Sequence, residues 1–103
     1  MGVQLRENKM DVVTLVMSPS IVAANTTAEQ TFTCPGLAVN DYVHVNKPTA
    51  QAGLGIVGCR VSAANTLAVT FSNNTVAGIT PTASETYLVL VHRPESLRAG
   101  FSL

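Results

Sequence analysis

Two strand-like segments that face each other across a short turn constrain the fold of this chain more than any other feature. Residues 55–61 and 67–71 are rich in apolar and β-branched residues, and the connecting residues 62–66 read SAANT. If the turn is centred on Ala64, the two-residue period of a strand places three cross-strand pairs on one face. The sequence therefore predicts an antiparallel hairpin with one buried face. The predicted pairs are Val61 with Leu67, Cys59 with Val69, and Val57 with Phe71.

Further strand-like segments recur along the chain between proline, glycine and asparagine turns. Strands are predicted over residues 11–17, 29–34, 42–45 and 85–93, with a further short one over residues 20–25. The last of the four is apolar on both faces, which predicts that both faces are covered, one by the core. A chain of 103 residues is expected to form one domain. Six to eight short strands predict an all-β antiparallel sandwich or small barrel over residues 11–94, with an N-terminal arm (1–10) and a C-terminal tail (95–103).

Charge is sparse and balanced. Only 12% of the residues are Asp, Glu, Lys or Arg, six acidic and six basic, against roughly 25% in an ordinary domain. This balance supplies no basic surface for a nucleic acid or an anionic membrane, so neither is expected as a partner. Low charge protects a lone monomer poorly against association. We therefore prefer a subunit of an assembly over a monomer coated in Thr, Ser and Asn.

The assembly contacts are expected in three segments. Residues 61–84 contain no charged residue, and the neutral loop over residues 76–84 is the first candidate. The polar arm is the second and the apolar tail the third, since burying each large apolar side chain of the tail stabilises by about 1.5–3 kcal/mol. The predicted contact residues are Arg6, Lys9, Val76, Ile79, Pro81, Leu97, Phe101 and Leu103.

The sequence shows no constellation typical of catalysis, so we expect no enzyme, no cofactor and no metal site. His44 and His92 are the only histidines and are expected to be ordinary strand residues. The glycines of residues 53–58 spell GxGxxG, but they lead into a strand where a dinucleotide site needs a helix. Cys34 and Cys59 are expected to be buried free thiols. Residues 1–11 lack the apolar region of a signal peptide, and no apolar run is long enough to span a bilayer, so synthesis and retention in a cytoplasm are expected.

The central stretch also resembles a known class of protein. Residues 45–55 (VNKPTAQAGLG), 60–67 (RVSAANTL) and 71–73 (FSN) resemble small structural proteins of tailed bacteriophages, and residues 31–37 (TFTCPGL) and 93–94 (RP) are similar to them too. The likeness covers residues 31–94 and is to capsid decoration (cement) proteins. These are small β-sandwiches, often jelly-roll-like, that oligomerise on the outer shell. The resemblance transfers no catalytic residue.

The resemblance implies a protein that binds the major capsid protein on the outside of the shell and stabilises the head. It would be made in the bacterial host cytoplasm and reside on the virion capsid surface. A homotrimer is the first expectation for its oligomer and a dimer the second. The alternative is a head- or tail-fibre module that binds a host-surface receptor or glycan, for which the exposed aromatic residues of this sequence are few.

Overall fold

Six antiparallel strands and no helix make up residues 8–94, the part of the chain that this computed structural model describes, with side chains described for residues 10–93. The strands form two three-stranded sheets, in the spatial orders β1-β6-β3 and β2-β5-β4. The all-β prediction is confirmed at this level. Their bounds are β1 Asn8–Met17, β2 Thr26–Thr33, β3 Tyr42–Asn46, β4 Leu54–Ala63, β5 Thr66–Asn73 and β6 Glu85–Pro94. In the same residues no helix is long and apolar enough to cross a membrane.

Outside the hairpin, four of the five predicted strands are present, and the prediction of a short strand over residues 20–25 is wrong. In its place Val22 makes one isolated bridge to Ile79, with hydrogen bonds of 2.8 and 3.0 Å in the two directions. Pro19 on one side has no N–H to donate, and Asn25 on the other has a φ of 50°. A left-handed residue ends an extended segment, so these two positions limit the extended segment around Val22 to a few residues.

The core is built from the inward-facing side chains of both sheets. The central strands β5 and β6 supply most of its fully buried members, because a central strand is flanked on both edges. Partly buried residues of β1 and β4 pack around them. The hydrophobic residues with no exposed surface are Leu67, Ala68, Val69, Phe71, Tyr87 and Val89.

The hairpin formed by β4 and β5 confirms two of the three predicted pairs. Val61 lies opposite Leu67 and Cys59 opposite Val69, but Phe71 is paired with Ile56. Val57 is therefore the extra residue of a β-bulge, and 63% of its surface is exposed. A bulge places two residues of one strand opposite one residue of the other. On the N-terminal side of Val57, the residues of β4 therefore face the opposite way from what regular alternation predicts. Ile56 consequently packs against the core, where Val57 was expected.

One buried side chain makes several of the hydrogen bonds that hold the neutral loop after β5, in addition to the Val22–Ile79 bridge. Asn73, at the end of β5, is only 1% exposed. Its amide nitrogen donates to the carbonyl oxygens of Val22 (3.0 Å) and Ala77 (2.8 Å), and its oxygen accepts from the Thr75 N–H (2.9 Å). These bonds fold the loop back over the end of the sheets, so much of its backbone polarity is satisfied internally.

Candidate interaction surface

The outer side of the β1-β6-β3 sheet is the most unusual surface of the molecule. Strand β6 is apolar on both faces, and Tyr87, Val89 and Val91 take the inward positions. Leu88, Leu90 and His92 must then face outward, because side chains alternate along a strand. The antiparallel registers place outward residues of β1 and β3 beside them. We call this set the apolar face; it consists of Met10, Val12, Thr14, Val16, Tyr42, His44, Asn46, Thr86, Leu88, Leu90 and His92.

The residues of the apolar face lie in rows across the three strands. Val12, Leu90 and His44 form the central row. Met10, His92 and Tyr42 form the next, in which the Tyr42 and His92 ring centroids are 6.1 Å apart. On the other side of the central row stand Thr14, Leu88 and Asn46.

Large apolar side chains are concentrated on this face. Nine of them are exposed within the described part of the chain, and five of the nine belong to the apolar face. The other four, Ile21, Val39, Val57 and Val76, are on other surfaces. Single exposed apolar residues are ordinary, whereas a contiguous patch marks an interaction site. The five are Met10 (64% exposed), Val12 (57%), Val16 (63%), Tyr42 (68%) and Leu88 (42%).

No charged side chain interrupts the apolar face. Among the described side chains of these three strands, three are charged, and all three occupy positions of the inward register. They are Asp11, Glu85 and Arg93. The outward polar residues are neutral threonines and an asparagine, together with the two histidines. The face therefore has no charge that a charged surface could complement.

The outer side of the β2-β5-β4 sheet has a different character. Its outward residues are mostly Thr, Ser and Gly, and an ion pair spans it from β4 to β2. Arg60 Nε and Nη2 donate to the Glu29 carboxylate oxygens at 2.9 and 3.0 Å. This hydrogen bonding lowers the pKa of the Glu29 carboxyl. The two outer faces of the molecule are thus one largely apolar and one polar.

Two other carboxylates form ion pairs and hydrogen bonds that connect loops to strand β6. Arg93 donates to both Asp41 oxygens, at 2.8 and 2.7 Å, and also to the Gly36 carbonyl oxygen at 2.7 Å. Asp41 also accepts the Ala38 N–H at 2.9 Å, so it closes the loop between β2 and β3. The hydrogen bond from Arg93 is the main reason that the pKa of Asp41 is lowered.

Glu85 forms the second such site, at the start of β6. It accepts a hydrogen bond from the Thr49 hydroxyl, which is the main cause of its lowered pKa. Lys47 Nζ lies 3.1 Å from Glu85 Oε1, in the geometry of an ion pair and not of a directed hydrogen bond. Both side chains are at most 10% exposed. These groups join the loop after β3 to β6.

The histidines and cysteines occupy strand or core positions. His44 and His92 are diagonal neighbours on the apolar face. Both cysteines are free; Cys34 is buried, which raises the pKa of its thiol, and Cys59 donates to the Val43 carbonyl oxygen at 3.2 Å. Within residues 8–94 there is no group of three or more His, Cys, Asp or Glu residues that could hold a metal ion.

A small cleft opens between β1 and the loop that follows β2. Its volume is about 220 Å³, and Val13, Leu37 and Val91 line it beside Asp11 and Arg93. Small-molecule sites usually measure about 300–1,000 Å³. The Arg93 guanidinium at the rim is already paired with Asp41. The cleft is therefore a weaker candidate than the apolar face.

The contact residues predicted from the sequence are dispersed in the structure. Val76 is 91% exposed at the tip of the neutral loop, Ile79 is half-buried in its bridge to Val22, and Pro81 is buried within the subunit. Arg6, Leu97, Phe101 and Leu103 lie outside the described residues, as does the side chain of Lys9. Sequence reasoning omitted the apolar face from its candidates. The signal that points to it is the two-sided apolar pattern of β6, continued by Met10, Val12 and Val16 on β1.

Comparisons with known proteins add no family to this description. A scan against protein-family models found no match, and searches of curated proteins and of solved structures also found none.

Proposed function

We propose that the protein is a structural subunit of a bacteriophage head, a decoration protein that binds the outside of the major capsid shell as a homo-oligomer and stabilises it. The apolar face is the observation that carries the proposal, because it is a surface built for contact with protein. The likeness of residues 31–94 to decoration proteins names the class. A jelly-roll-like sandwich and a location on the virion surface belong to the same proposal.

The exposed apolar side chains supply a driving force for assembly. Complete burial of one such side chain is worth about 1.5–3 kcal/mol. The five are 42–68% exposed, so covering what remains gives roughly 4–8 kcal/mol per copy. Losses of translational and side-chain freedom are of the same order, so one contact of this size is weak alone. A homo-oligomer joined by this contact presents several copies of its shell-binding surface, and avidity makes binding to the shell tight.

The experiment is a rebinding assay on the phage's own shells. Shells of the major capsid protein are mixed with purified protein, sedimented, and the bound copies counted. We expect saturable binding of many copies per shell and a higher temperature of DNA release for decorated virions. Virions that release DNA at the same temperature with and without the protein would contradict a stabilising role.

A fibre module that binds a receptor or glycan is the second candidate. The observation that favours it is Tyr42, which is 68% exposed beside the His92 ring, since glycan sites use exposed aromatic rings. The two functions differ in copy number. A few copies per virion, located on fibres by imaging, would support the fibre module, while a full lattice of copies on the head supports decoration.

A further inference from the structure

We propose that the apolar face is the contact between two copies of this chain, which stack their β1-β6-β3 sheets across a two-fold axis to form a dimer. This inference rests on the proposed function, which expects a homo-oligomer. It adds the identity of the partner that covers the apolar face. Contact with the shell is then made by other surfaces.

Electrostatic character favours a second copy as the occupant. The apolar face carries no Asp, Glu, Lys or Arg, so it has no charge for a partner to complement. Its best partner is equally apolar and equally neutral, and an identical face meets both conditions. Charged residues are likewise depleted from the centres of protein interfaces.

The shape of the face favours a two-fold arrangement. Two sheets pack face to face at a separation of about 10 Å, with interdigitated side chains. When one patch meets itself, the operator is a two-fold axis, whereas a cyclic trimer brings two different patches of each subunit together. Within the described residues, five of the nine exposed large apolar side chains lie in this one patch, and the other four lie singly on other surfaces. The structure therefore favours the dimer over the trimer that the sequence placed first.

The available area approaches what a stable dimer needs. Strands β1 and β6 each contribute ten residues and β3 contributes five. At about 4.8 Å per strand and 3.3 Å per residue the face covers roughly 400 Å² in plan. Two copies therefore cover about 800 Å² in plan, and side chains that stand out from the sheets add to this area, toward the roughly 1,200 Å² of the smallest stable specific interfaces.

Two valines provide a matched test. Val12 lies in the central row of the apolar face and is 57% exposed, while Val57 lies on β4 of the other sheet and is 63% exposed. Val12→Glu puts an unpaired carboxylate into the proposed contact, and Val57→Glu puts the same group into solvent. Both substitutions are at exposed strand positions, so both variants are expected to fold, which the cooperativity of thermal unfolding verifies.

The mass of the full chain is measured by sedimentation velocity and light scattering over a wide range of concentration, with no shells present. We expect wild type and Val57→Glu to show twice the 10.8 kDa mass of one chain. We expect Val12→Glu to be monomeric, with dimerisation weakened more than about a hundredfold by the buried charge. Leu88→Lys, elsewhere on the same face, is expected to behave in the same way.

The outcomes separate this inference from the proposed function. A monomeric wild type, a trimer, or a dimer that Val12→Glu and Leu88→Lys leave intact would each overturn the two-fold contact. A monomeric wild type whose shell binding is abolished by Val12→Glu would overturn it too and would assign the face to the capsid protein, leaving decoration standing. A dimer that binds no shell would support the contact and reject decoration.

Discussion

Tyr87 is the residue whose chemistry fits its surroundings least well. Its side chain has no exposed surface, and its hydroxyl has no hydrogen-bond partner among the described residues. Burial, with a contribution from the Glu85 charge, raises the pKa of Tyr87 to about 12. The hydroxyl therefore stays protonated at neutral pH, and its desolvation is uncompensated.

We expect Tyr87→Phe to leave the fold intact and to raise the free energy of unfolding by up to about 1 kcal/mol, because it removes an unpaired polar atom and keeps the ring. Urea unfolding measures the change. Tyr42→Phe, on the exposed side of the same sheet, is the control and should be neutral. A loss of stability in Tyr87→Phe alone would show that the hydroxyl is bonded, for example to an internal water.

Asn73 is the opposite case, a buried polar residue with all its groups satisfied. Replacing it with Ala removes two donated bonds and leaves the Thr75 N–H without its acceptor. We expect Asn73→Ala to lower the free energy of unfolding by roughly 2–3 kcal/mol, since each unmet buried group costs about 1–3 kcal/mol. Asn74→Ala, at the exposed neighbouring position, should cost far less when both are compared by urea unfolding. Equal losses would contradict the central place of Asn73 in this loop.

At the scale of elements, the stability of the loops on either side of β3 depends on pH, because two carboxyl groups that hold these loops have lowered pKa values. Asp41 and Glu85 both bind protons less readily in the folded state than in the unfolded chain. Their contribution to stability is therefore complete above the unfolded pKa, about 4, and is lost as pH falls through the lower folded values. We expect the midpoint of thermal unfolding to fall steeply below about pH 4.

The double variant Asp41→Asn, Glu85→Gln should be less stable than wild type at pH 7 and should lose the part of the acid dependence that these two groups supply, while the exposed Glu29, whose pKa is also lowered, keeps its smaller part. Asp11→Asn is the control and should retain the wild-type profile, because among the described residues Asp11 accepts a hydrogen bond only from the adjacent Val12 N–H. An unchanged acid limb in the double variant would show that other groups control acid unfolding.

The bulge in β4 leads to a prediction about deletion. Removing Val57 leaves Ile56 opposite Phe71 and Gly58 opposite Thr70, so regular alternation is restored on both sides. We expect the deletion variant to fold with the two-state unfolding of wild type. Deleting Val69 from β5, which is regularly paired with β2, shifts the register and turns core residues outward. That variant should lose more than about 4 kcal/mol or fail to fold, as circular dichroism and urea unfolding will report.

The same strand shows what could be predicted from sequence and what could not. Local alternation predicts the facing of Val61, Leu67 and Val69 because each obeys the two-residue period on its own strand. The position of the bulge depends on how two strands fit over a shared core, and the alternation of β4 alone is compatible with either Ile56 or Val57 facing inward. Val22 shows the same limit, because its one bridge is made to a residue far along the chain.

At the scale of the whole molecule, the two outer faces explain why sequence reasoning predicted an assembly but omitted the apolar face from its predicted contacts. Low charge and the two-sided apolar pattern of β6 are visible in the chain, and both indicate association. The apolar face itself needs the spatial order β1-β6-β3, which brings the first, third and last strands together. No spacing along the sequence reveals that Val12, Leu90 and His44 lie in one row.

If this face joins two copies, stability must depend on protein concentration. Folding and dimerisation are then one linked equilibrium, and mass action raises the unfolding midpoint as the chain becomes more concentrated. We expect the thermal midpoint of wild type and Val57→Glu to rise steadily with concentration, by several degrees over about a hundredfold range. Val12→Glu should keep one midpoint at every concentration, equal to that of the dissociated wild type, because its carboxylate is exposed in the monomer and costs nothing there. A midpoint of wild type that is independent of concentration would mean that the apolar face stays open in solution.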